Sequence, residues 1–121
     1  DTIKFIKSDV QTISLGISAS MAAILLLSGT KGKRKILPNS NVMLHDLSGT
    51  AKGKFNDIMI EVQEMNKIHK KIFNIIKENT YLTEEQIKTN LKNDFWLTSE
   101  EALKYGIIDK IVTTKKSNNN V

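Results

Sequence analysis

Few residues in this chain could carry covalent chemistry: two histidines, His45 and His69, and the serines of a small-residue stretch, Gly16-Ile17-Ser18-Ala19-Ser20-Met21-Ala22-Ala23. A hydroxyl becomes a nucleophile when an imidazole accepts its proton and a carboxylate keeps that imidazole in the correct tautomer. The candidates are Ser18 or Ser20, with His45 or His69 and an acid. Small residues between a strand-like and an apolar segment let one hydroxyl stand exposed at a strand-to-helix turn. The first N–H groups of the helix are then free to meet a developing oxyanion. The stretch departs from the esterase elbow G-x-S-x-G, because Ser20 stands where the second glycine would be. Taken alone, it is what a tight turn with a serine cap looks like.

The flanking elements must place these groups. Asp1 to Lys7 reads as an amphipathic helix already under way, with no initiator methionine, so a fragment or processed chain is expected. Val10 to Leu15 alternates apolar and polar residues as a half-buried strand does, and it runs straight into the small-residue turn. Ala19 to Ser28 is almost wholly apolar and stops at Gly29, which predicts a buried helix. Lys31 to Lys35 predicts a solvated basic loop leading into Lys35-Ile36-Leu37. Pro38 to Asn41 is a turn, and Val42 to His45 a short buried strand. Strand, helix, strand in this order predicts a parallel α/β layer. His45, ending a strand before a turn, has the placement of an active-site base.

Ser48 to Lys54 is small and polar, and its glycines permit another backbone to approach, as an extended peptide would. Ile58, Val62, Met65, His69, Ile72 and Ile76 then fall at helical spacing within Phe55 to Asn79. Such a helix would be roughly 37 Å long at 1.5 Å per residue, longer than a domain this small needs. A helix that overhangs its domain packs on something else. His69 lies on its apolar stripe, where a lone histidine usually packs. Thr83-x-x-Gln86 and Thr98-x-x-Glu101 are capping boxes that start two further helices, the second stopping at Gly106. Ile107 to Val112 reads as a last strand. Residues 1–112 form one domain on this reading, and 113–121 a polar, disordered tail.

The composition, 40% hydrophobic and 26% charged over 121 residues, is that of one globular domain. The apolar run Met21 to Leu27 is far short of the roughly 20 residues that span a bilayer, so no membrane association is expected. The net charge of +5 raises nucleic acid as a partner, but the lysines are dispersed, lack interleaved aromatics, and accompany a single arginine, Arg34. No nucleic-acid partner is therefore expected. Cysteine is absent, so no disulfide framework is available. The lysine, asparagine and isoleucine bias is that of an AT-rich genome.

Three ordered motifs carry a resemblance. Ala19-Ser20-Met21-Ala22, the segment from Lys33 to His45, and Asp94-x-x-Leu97-Thr98-x-x-Glu101-Ala102-x-x-Tyr105-Gly106-x-Ile108-Asp109 resemble the proteolytic subunit of the caseinolytic (Clp) protease family, over nearly the whole chain. The resemblance implies a crotonase-like α/β superhelix of strand and helix layers with a long protruding handle helix, the N-terminal part of the fold being missing here. It implies that Ser20 is the nucleophile, His45 the general base and Asp94 the orienting acid. The Met21 N–H becomes an oxyanion donor, and Gly49, Thr50, Ala51 and Gly53 belong to a strand that pairs with substrate. Without the family, Asp94 reads equally as an acid near a helix start.

The same resemblance implies a homo-oligomer of two stacked seven-membered rings, an AAA+ ATPase unfoldase as partner, and unfolded polypeptides as substrates. No metal or cofactor is expected in this chain, ATP being used by the partner, since no phosphate loop is present. A plastid-type organelle is expected from composition and family distribution, with a bacterial cytoplasm or mitochondrion as alternatives. Asp46-Leu47 follows the histidine where the family usually has glutamine and proline, and this carboxylate is expected to raise the pKa of His45 or compete for its hydrogen bond. Two other readings stand beside the peptidase: a non-catalytic ring subunit, against which retention of Ser20, His45 and Asp94 argues, and an acyl-CoA hydratase or isomerase of the related fold.

Overall fold

The computed structural model describes residues 1–113, so the tail expected at 113–121 lies outside the described residues except for Thr113. A short helix α1 (Thr2–Phe5) leads to strand β1 (Thr12–Ser14). The small-residue stretch is more than a turn. Gly16, at φ +119°, breaks the chain out of β1, and Ile17–Ala19 forms a second strand, β2, before helix α2 (Met21–Leu27) begins. The same step recurs next door, where β3 (Arg34–Ile36) and β4 (Asn41–Leu44) are separated by the turn at Pro38.

These two broken extended segments run side by side. β1 pairs parallel with β3, and β2 pairs parallel with β4. Between the pairs, Leu37 N–H donates to the Ser14 carbonyl at 3.1 Å, and Asn41 N–H to the Gly16 carbonyl at 2.7 Å. The Ser40 hydroxyl accepts from the Gly16 N–H at 2.7 Å. The expected parallel pairing is present, divided among the described residues between two three-stranded sheets, ordered β1-β3-β6 and β2-β4-β5, with β5 alone antiparallel to its neighbour. The last strand, β6 (Lys110–Ile111), is shorter than expected.

The long helix α3 runs from Phe55 to Asn79 as the spacing predicts. Its burial is uneven. Ile76 is fully buried and Ile72, Phe73 and Ile75 pack on the core, whereas Phe55, Met59, Ile60, Val62 and Ile68 are exposed. Both capping boxes form. Thr83 accepts from Gln86 N–H at the start of α4 (Glu84–Asn90), and Thr98 accepts from Glu101 N–H at the start of α5 (Ser99–Lys104).

The core is one apolar cluster in which Ala23 and Leu27 of α2 meet Ile36, Val42, Leu44, Leu97 and Ile108. Each fully buried leucine or isoleucine contributes about 1.5–3 kcal/mol of transfer free energy. The basic loop departs from expectation at one residue. Arg34 is only 2% exposed. Its guanidinium donates to both Asp109 carboxylate oxygens (2.9 and 2.6 Å) and to the carbonyls of Leu27 (3.2 Å) and Asn79 (2.6 Å), tying the ends of α2 and α3 to the last strand. A fork-shaped donor set can satisfy several acceptors that a lysine could not. No helix among the described residues is long and apolar enough to cross a membrane.

Candidate active site

Ser20, His45 and Asp94 converge on the end of β4. Ser20 lies at the junction of β2 and α2, and its N–H donates to the Met43 carbonyl of β4 at 2.9 Å. Its backbone angles, φ 57° and ψ −123°, put a non-glycine residue in a region that side chains rarely adopt. That turn aims the hydroxyl at the first residue past β4, His45. Ser20 Oγ lies 2.8 Å from His45 Nε2, a hydrogen bond of good length.

Asp94 arrives by a route that periodicity alone did not reveal. Phe95–Leu97 is a strand, β5, antiparallel to β4, with Leu44 opposite Phe95. One step outward along both strands, His45 and Asp94 are therefore neighbours, with Nδ1 and Oδ1 3.9 Å apart. That separation is an ion-pair distance, longer than a hydrogen bond. Asp94 is mostly exposed and His45 about a quarter exposed. Aromatic Phe95 and Trp96 between Asp94 and the Thr98 cap were a legible strand signal.

Ser18, the other candidate nucleophile, is spent on structure, its hydroxyl lying 2.7 Å from that of Ser14. Met21 is the first residue of α2, so its N–H has no acceptor within the helix and stands next to Ser20. A cleft of about 130 Å³ opens over the serine, with Met21, Ile24, Leu44, Leu47 and Ile72 as apolar walls.

Gly49, Thr50, Ala51 and Gly53 lie in an irregular segment between β4 and α3. A side chain at Gly49 would collide with Met65 Cε of α3 at 2.8 Å. Close approach at Gly49 is therefore already used by the chain itself.

His69 lies beside Phe73, its ring centroid 6.4 Å away, but it also has a polar partner. It is about 40% exposed, and its Nδ1 lies 2.6 Å from Asp46 Oδ1. The expected competition of Asp46 for His45 does not occur, because that same oxygen faces α3 and also accepts from the Leu47 N–H at 2.7 Å.

A serine hydroxyl on a strained turn, an imidazole at hydrogen-bond distance and a carboxylate beside that imidazole are the groups, in the order, that serine hydrolase chemistry uses. The family model for Clp protease matches residues 1–115. The chain belongs to the Clp protease family, with its crotonase-like α/β fold. It is 42% identical over 115 residues, 95% of its length, to a protein from Bacteroides thetaiotaomicron named ATP-dependent Clp protease proteolytic subunit. The same figures hold for a protein of that name from Bacteroides fragilis. The chain spans about half the length of these relatives, 52% and 56% respectively. Both are bacterial, so the plastid-type compartment expected from composition receives no support from them.

Proposed function

We propose that this chain is the catalytic portion of the serine endopeptidase subunit of an ATP-dependent Clp protease, cleaving unfolded polypeptides through an acyl-enzyme. The observation that carries the reading is the 2.8 Å contact between Ser20 Oγ and His45 Nε2 at the positive-φ turn. His45 takes the Ser20 proton as Oγ attacks a peptide carbonyl carbon. The oxyanion that forms is met by the Met21 N–H, a donor of a kind worth about 3 kcal/mol in the transition state. Collapse breaks the C–N bond, and the imidazolium returns its proton to the departing amine. Water then attacks the Ser20 ester with His45 again as base, releasing the acid and restoring the hydroxyl. Asp94 stabilises the imidazolium in both halves of the cycle.

The segment bearing Gly49, Thr50, Ala51 and Gly53 would lie along the substrate backbone, and the apolar cleft would receive the side chain before the cleaved bond. The subunit assembles as two stacked seven-membered rings and receives unfolded chains from an AAA+ ATPase. The exposed apolar residues of α3 support an assembling surface. This chain needs no cofactor for the chemistry. The bacterial relatives favour a bacterial cytoplasm over a plastid-type organelle.

The test is labelling of the full-length protein with a fluorophosphonate, comparing the native chain with Ser20→Ala and sizing the particle in the same sample. Labelling of an assembled particle that vanishes in Ser20→Ala is expected. An assembled particle that does not label would leave a structural ring subunit as the better reading.

A further inference from the structure

The residue after the base is held by the long helix. Asp46 Oδ1 accepts two hydrogen bonds, from the Leu47 N–H at 2.7 Å and from His69 Nδ1 at 2.6 Å. His69 sits within α3, on the turn before Ile72, and Ile72 walls the cleft over Ser20. The chain between Leu44, where β4 ends, and Phe55, where α3 begins, has no regular structure. His45 is thus fixed by strand pairing on its N-terminal side, while the backbone on its other side is held by the grip of α3 on Asp46.

We propose that His69 is a positioning residue for the base: by holding Asp46 it fixes the backbone that follows β4 and keeps the His45 ring oriented on Ser20. The inference rests on the Ser20–His45 reading above. Two observations point the same way. The His45–Asp94 separation of 3.9 Å means that the acid alone does not lock the ring, so its orientation depends on the backbone that carries it. Asp46 Oδ1 is engaged by His69 of α3 and by the Leu47 N–H, and its carboxylate makes no hydrogen bond to the His45 ring among the described residues. An exposed pair of this kind adds little to global stability. Its loss should therefore register in site geometry, and a displacement of about 1 Å at a reacting group can cost a hundredfold in rate.

The experiment uses the assembled full-length protein with His69→Ala, His69→Asn, Asp46→Ala and the His69→Ala/Asp46→Ala double variant. The readouts are the rate of fluorophosphonate labelling of Ser20, kcat and KM on a peptide, and amide exchange at Leu47. His69→Ala should slow labelling and lower kcat by about tenfold or more, with KM within about twofold and faster Leu47 exchange. His69→Asn, which keeps a donor near the Nδ1 position, should restore most of the rate. The double variant should be no worse than the worse single one, as for two residues acting through one contact.

Labelling and exchange unchanged in His69→Ala would overturn the proposal, as would equal losses in His69→Asn and His69→Ala at wild-type particle size. If the wild-type particle does not label, the hydrolase reading fails by itself. Leu47 exchange then decides the grip alone, faster in His69→Ala supporting it and unchanged refuting it.

Discussion

Ser20 holds its reactive position at a conformational cost. A side chain at φ 57° and ψ −123° is strained by about 1–3 kcal/mol, and glycine would occupy the same angles without that strain. Ser20→Gly should therefore be more stable than Ser20→Ala by about 1–2 kcal/mol, while neither labels. Thermal unfolding of the two variants side by side checks it, and equal midpoints would count against a strained turn. The serine-bearing turn and a histidine at a strand end were legible as local patterns, whereas the choice of Ser20 over Ser18 came only from the family resemblance. The roles of Asp46 and His69 were not legible, because a hydrogen bond between a loop and a helix 23 residues further on leaves no periodic trace. At His69 the apolar spacing of α3 pointed to packing, and the polar partner across the gap came only with the structure.

Among the elements, β6 and the segment before it matter beyond their length, because the chain there anchors Arg34. The Arg34 side chain donates to Asp109, whose carboxyl is held below the ordinary carboxylate range first by that side-chain bond and further by the Arg34 and Gly32 backbone N–H groups. A depressed folded-state pKa adds stability that is fully present above the unfolded value, about 3.9, and is lost as pH falls towards the folded one. Asp109→Ala should cost about 3–5 kcal/mol at neutral pH, because it leaves a buried guanidinium without its counter-charge. Denaturant titrations should show that difference shrinking below about pH 4. A difference independent of pH would mean that the ion pair is not its source. Helix α3 and both capping boxes were legible from spacing and cap chemistry. β2 was hidden, since a three-residue strand is too short for alternation to show, while β5 had only its aromatic pair as a signal, and both take their place from pairing with β4.

At the scale of the whole molecule, α3 divides into a C-terminal part buried in the core and an N-terminal part that presents Phe55, Met59, Ile60 and Ile68 to solvent. Exposed apolar residues of this extent on one helix need a partner surface. Ile60→Glu with Ile68→Glu should leave the subunit folded and shift the particle to smaller species. Sedimentation against the wild type would show it, and an unchanged particle would remove α3 from the assembling surface. The overhang was legible from helix length alone, whereas the division of the sheet was not, because a break such as Gly16 reads as a turn until the neighbouring strand shows the same break. The pairing of β4 with β5 joins Val42 to Leu97 across more than fifty intervening residues. On a ribosome, the serine and histidine emerge well before the strand that carries the acid beside them. A nascent chain therefore holds the Ser20–His45 pair before the carboxylate of Asp94 is in place beside it.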